Sequence, residues 1–258
     1  MARNWTEDEL LVVLGLYCKL PFGQLHQRNP LIEQVAARLD RTAGSVAMKL
    51  SNLASLDPVI TDSGRVGLSG ASELDRRVWE RFSTDTAALM PEIETRLASL
   101  LEEGAPPDAE VATPGISEAT SFWAGERVAT TRQRQGQNLF REAVLTAYQS
   151  RCCVTGVADT RLLLASHIKP WRDDEANRLN PRNGLCLSAL VDRAFDKGLV
   201  TLSEDHRLLV SPELAPEKAN PHIHETFHAR EGKPISLPEK FAPEPAFLAW
   251  HREHVFLG

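Results

Sequence analysis

The sequence predicts an α+β chain: an all-helical N-terminal domain over residues 1–101, an acidic proline-containing linker over 102–126, and a mixed strand-and-helix domain over 127–258. Three observations predict it. The first hundred residues show helical periodicity with start and stop signals, the charge changes sign across the linker, and a strand, loop, strand, helix order follows residue 160. With 258 residues, 42% hydrophobic and 25% charged, the chain has room for one large or two small domains around a buried core.

Thr6-Glu7-Asp8-Glu9 reads as a capping box ahead of the apolar residues Leu10, Leu11, Val13, Leu14 and Leu16. A second helix starts at Pro30, with Ile32, Val35, Ala36 and Leu39 on one face, and Asp40-Arg41-Thr42 interrupts it. The third runs from about Thr42 through Leu56, until Asp57-Pro58 stops it. In this helix Val46, Leu50 and Leu53 point inward, while three- and four-residue spacing puts Arg41, Ser45, Lys49 and Asn52 on an outer face suited to a DNA groove. The three-helix layout resembles the Myb-like or helix-turn-helix class, and a structural or dimerising module is the other reading of it.

A glycine-containing turn region, Asp62 to Gly70, leads to amphipathic helices over Glu73 to Phe82 and from Pro91 to Leu101. Residues 102–126 then hold six acids, three prolines and no Lys or Arg, the composition of an extended linker. Residues 127–151 reverse the sign, with five arginines against Glu142 alone, and Arg132, Arg134 and Arg141 are candidate phosphate contacts.

Beyond residue 160, the apolar stretch Leu162-Leu163-Leu164-Ala165 ends at His167 and breaks at Lys169-Pro170-Trp171, so the imidazole is expected at the end of a strand. A turn-rich loop runs Arg172 to Arg182, then the strand Leu185-Cys186-Leu187 feeds a helix carrying Asp192, Phe195 and Asp196. Asp192 and Asp196, four residues apart, share one face of that helix.

Arg151-Cys152, Val154-Thr155-Gly156, Ser166-His167-Ile168-x-Pro170-Trp171, Asn183-Gly184-Leu185 and Phe195-Asp196-x-Gly198-Leu199 together resemble the HNH endonuclease domain, over roughly residues 127–256. The resemblance implies a hairpin packed on a helix around one divalent metal, Mg²⁺ or Mn²⁺, and hydrolysis of double-stranded DNA. It implies His167 as general base, Asn183 as the residue that orients the loop and His167, and Asp192 as metal ligand. Asp196 is either a second ligand or a cap of the fold. Ser166 stands where many relatives carry an acid, and Val191 where some carry a histidine. Those two departures motivate an alternative, a weak or inactive DNA-binding protein that keeps the fold. A role in restriction or phage defence, and a homodimer for cutting both strands, follow from the same analogy.

Residues 199–202 and 208–210 read as a hairpin, His222, His224 and His228 as loop histidines, and Ala246 to Phe256 as a short docked helix whose His251 and Arg252 are more simply packing residues than site residues. Cys18, Cys152, Cys153 and Cys186 lack the spacing of a zinc site and are expected as reduced, partly buried thiols. A net charge of −6 argues against a uniformly basic coat. The longest apolar run, Leu10 to Leu16, is too short to span a bilayer, and the N-terminus has no signal-peptide core, so no membrane partner and a cytoplasmic location are expected.

Overall fold

The computed structural model describes residues 3–62, 70–102 and 136–258. Linker residues 103–126, together with Arg127, Arg132 and Arg134, lie outside the described residues. The helical part comprises α1 (Glu7–Lys19), α2 (Pro30–Arg38), α3 (Ala43–Ala54), α4 (Pro58–Asp62), α5 (Glu73–Thr84) and α6 (Thr86–Glu102). At the start of α1 the Thr6 hydroxyl accepts from the Glu9 amide while the Glu9 carboxylate accepts from the Thr6 amide, the reciprocal capping box. Leu10 through Cys18 are all buried, and α1 packs on α3, α5 and α6, so this helix is the hub of the bundle. Helix α6 begins five residues before Pro91, the expected start. A proline forfeits a single backbone hydrogen bond there, and the preceding turn buries Leu89 and Met90 completely.

The outer face expected on α3 is corrected by the structure. Lys49 and Asn52 are only 6% and 4% exposed, because α5 covers them. Lys49 Nζ lies 2.8 and 2.9 Å from the two Asp75 oxygens, and Asn52 donates to Gly70 O and to Asp75. Arg41 is equally occupied, paired with Glu9 at 2.8 Å and with its guanidinium carbon 4.4 Å from the Trp5 ring centroid. A polar stripe satisfied by buried partners has the same helical spacing as one that faces solvent.

The C-terminal part comprises α7 (Gln137–Ala147), β1 (Leu163–His167), β2 (Gly184–Ser188), α8 (Ala189–Asp196), β3 (Val200–Leu202), β4 (Leu208–Val210), α9 (Pro221–Thr226) and α10 (Pro245–His254). β1 and β2 pair antiparallel with His167 opposite Gly184 and Ser166 opposite Leu185, and both strands pack on α7 and α8. β3 and β4 form a second two-stranded antiparallel ladder. The segment expected as a histidine loop instead turns into α9, since Asn220 caps it and Pro221 opens its first turn.

α7 also touches α1 and α6, and the buried apolar residues on either side of the linker form one continuous cluster. Lys240, fully buried, donates to the carbonyls of Tyr17 and Leu20 at the C-terminal end of α1, where the helix dipole favours a cation. Phe241 beside it packs among Tyr17, Trp79 and Phe82. All four cysteines are free and buried. Among the described residues no helix is long and apolar enough to cross a membrane.

The exit from α8 depends on Gly198, whose φ of +69° lies in the left-handed region and whose added Cβ would strike the Val255 carbonyl. Gly198→Ala is therefore expected to cost on the order of 3 kcal/mol, read as a lowered urea midpoint with unchanged slope. An unchanged midpoint would show that the C-terminal segment does not close over this turn.

Candidate active site

His167 ends β1 because Lys169-Pro170 cannot continue the ladder, and its ring is held on three sides. Its Nε2 lies 2.8 Å from the Arg178 carbonyl oxygen. A carbonyl only accepts, so in the neutral ring Nε2 carries the proton and Nδ1 keeps its lone pair. Phe140 of α7 stacks on the imidazole with centroids 4.5 Å apart and planes 7° apart, while Trp171 meets it edge-on at 6.1 Å. Burial pushes the His167 pKa down, against the opposing pull of the Arg178 carbonyl and the Asp192 charge. The ring is thus held in its neutral form near neutral pH.

Asn183, with no exposed surface, clamps the loop that connects the strands. Its Oδ1 accepts from Lys169 N at 2.8 Å, and its Nδ2 donates to Lys169 O at 3.0 Å and to Asn177 O at 3.2 Å. Its own carbonyl accepts from Ile168 N at 2.9 Å. Both ends of the loop are therefore fastened next to His167, which ties the loop carbonyl of Arg178 to the imidazole.

Asp192 sits in the first turn of α8, and burial raises its pKa against the Ser166 hydroxyl, Arg193 and His167. Ser166 is buried, and its Oγ completes no hydrogen bond of good geometry although it lies close enough to Asp192 to favour the charged carboxylate. Asp196, one turn on, is exposed as a residue, but its carboxyl is partly desolvated. That desolvation, and then the charge of Asp192, push its pKa up to about 6. Two carboxylates that repel each other suit a divalent cation, which would relieve the repulsion. Among the described residues no group of three His, Cys, Asp or Glu side chains is arranged to hold a metal.

Other predicted residues fall elsewhere. Arg141 donates to Leu163 O at 2.9 Å, at the end of β1 opposite His167, and so fastens α7 to the strand. His251 is 1% exposed, stacks on Phe195 at 3.7 Å, accepts from the Thr201 hydroxyl and donates to Phe195 O, and burial drops its pKa to about 4. It is a packing residue. Sequence reasoning missed Phe140 and the Arg178 carbonyl, since nothing local links either to His167.

This hairpin and helix, with their histidine, asparagine and aspartate, fall inside a single stretch, and residues 152–203 match the family model of the HNH endonucleases. Residues 152–203 form an HNH endonuclease domain. A comparison with curated proteins finds no match. Among solved structures the chain is similar to a protein titled "Modification dependent TagI restriction endonuclease", at 17% identity with a TM-score of 0.34, covering 45% of this chain and 37% of that one. The similarity thus spans well under two thirds of that protein.

Proposed function

We propose that the HNH domain hydrolyses phosphodiester bonds of double-stranded DNA with a divalent cation, Mg²⁺ or Mn²⁺. The observation that carries this reading is a buried neutral imidazole with one nitrogen tied to a carbonyl and the other left basic, beside two mutually repelling carboxylates. His167 Nδ1 takes the proton from the attacking water. Asn183 holds the loop so that the Arg178 carbonyl keeps the ring in that tautomer. Asp192, with Asp196 beside it, would hold the cation, which supplies charge neutralisation at the phosphate and at the departing 3′ oxygen. The stacked Phe140 ring covers one face of the imidazole and limits its rotation.

One hydrolytic centre nicks one strand, so cutting both strands calls for two chains, and a homodimer belongs to this proposal. A restriction or defence role and a cytoplasmic location belong to it as well. The domain division at residues 102–126 and the phosphate contacts at Arg132, Arg134 and Arg141 remain parts of the same reading. Ser166, which offers no strong ligand beside Asp192, favours a second reading in which the site binds DNA without cutting it.

Supercoiled plasmid, methylated and unmethylated, incubated with the protein and Mg²⁺, Mn²⁺, Ni²⁺ or EDTA separates the two. Nicking that EDTA stops supports the nuclease; retained binding with intact plasmid in every metal supports the second reading. Asp192→Asn is expected to raise the Mg²⁺ concentration for half-maximal nicking by about tenfold or more, since one charge leaves the ligand set. The same midpoint in wild type and variant would remove Asp192 from that set.

A further inference from the structure

We infer that Arg178 binds a backbone phosphate of the DNA beside His167. The inference rests on the reading of this site as a DNA-cleaving centre. The loop between β1 and β2 carries four cations, and three of them already have acids. Lys169 pairs with Asp174 at 3.2 Å, Arg172 with Asp173 at 3.3 Å, and Arg182 with Glu244 at 3.2 Å. Arg178 has no ion pair or side-chain hydrogen bond among the described residues, although its Nε is fully buried. That Nε is closed to solvent, so the donors a ligand could reach are the two terminal Nη nitrogens of the fork, which the half-buried side chain leaves without a protein acceptor among the described residues.

The position of the side chain is fixed relative to the imidazole from two directions. The Arg178 carbonyl accepts from His167 Nε2, and its guanidinium carbon lies 5.2 Å from the centroid of the Trp171 ring, which in turn meets His167 edge-on. Stacking on an aromatic face leaves the planar N–H edge free and pre-oriented, the geometry that grips two phosphate oxygens at once. A single positive charge so placed attracts the DNA backbone next to His167 and stabilises the negative charge that builds on the non-bridging phosphate oxygens during attack.

The test compares the full chain with Arg178→Gln, Arg178→Lys and Trp171→Leu, each of which keeps the residue 178 carbonyl. Nicking of plasmid DNA is measured in Mg²⁺ or Mn²⁺, and duplex binding is measured in EDTA across a series of NaCl concentrations. Arg178→Gln is expected to lower kcat/KM by about 100-fold and to reduce the slope of log affinity against log salt by about one. Arg178→Lys, which keeps the charge but not the planar fork, should keep the slope and recover part of the rate. Trp171→Leu retains the charge but loosens both Arg178 and His167, so it should lower kcat/KM with the slope unchanged, and Arg178→Lys reports on the proposal if Arg178→Gln fails to fold. Wild-type slope and rate in both the Gln and Leu variants would overturn the assignment. Because binding is read without metal, a wild-type chain that binds but never nicks counts against the nuclease reading alone, and the salt slope still decides Arg178.

Discussion

His167→Ala is expected to end divalent-dependent nicking while DNA binding survives, with a rate loss of about 100- to 10,000-fold if proton removal from water runs through this imidazole. The expectation follows from the tautomer. With Nε2 tied to the Arg178 carbonyl, Nδ1 is the nitrogen that can accept a proton. The pH profile checks the same point. A buried histidine with a lowered pKa stays neutral as the pH falls through the ordinary imidazole value of about 6.5, so the base should remain competent there and kcat/KM should decline only at lower pH. Full nicking by His167→Ala would remove the residue from the chemistry. A limb at or above the ordinary imidazole value would contradict its burial.

Asn183→Ala carries the second large effect, on stability and activity together. The side chain has no exposed surface and makes three hydrogen bonds to the backbone of Lys169 and Asn177, so its removal leaves buried donors and acceptors without partners. A loss of about 3 kcal/mol in unfolding free energy is expected, with nicking reduced at least as strongly as in the Arg178 variants because the carbonyl that orients His167 is carried on the released loop. Asn183→Asp should be no better. It keeps an acceptor for the Lys169 amide but turns a second oxygen toward two carbonyls. Urea unfolding followed in parallel with plasmid nicking reads both effects. An alanine variant with native stability and native activity would show that the loop holds itself without the clamp.

Much of the local architecture was legible from residue order. Thr6 and Glu9 announced a capping box because both partners lie within one turn. The break at Lys169-Pro170 marked the end of β1 at His167, and the four-residue spacing of Asp192 and Asp196 set them on one face of α8. The HNH resemblance was legible because its motif elements lie close together in sequence, from Arg151 to Leu199, and all but Arg151 fall within the matched residues 152–203. The α3 face was misread because outward and inward polar stripes have the same period. Only the placement of α5, with Asp75 aimed at Lys49, makes the stripe inward. Pro91 was misread as a helix start because the burial of Leu89 and Met90, which extends α6 backward, depends on packing against α1.

By itself, then, the sequence determined the helical first part, the strand, loop, strand, helix order and the residue types available for acid–base and cation chemistry, since hydrogen-bond periodicity and capping act over a few residues. Tertiary structure decided what those residues do. It stacked Phe140 on an imidazole 27 positions away, tied Nε2 to the Arg178 carbonyl, left the Arg178 guanidinium without an acid among the described residues, and turned Lys49 and Asn52 inward. Those outcomes depend on which surfaces meet, and chemically equivalent stripes and loops carry no local mark of the partner they will find.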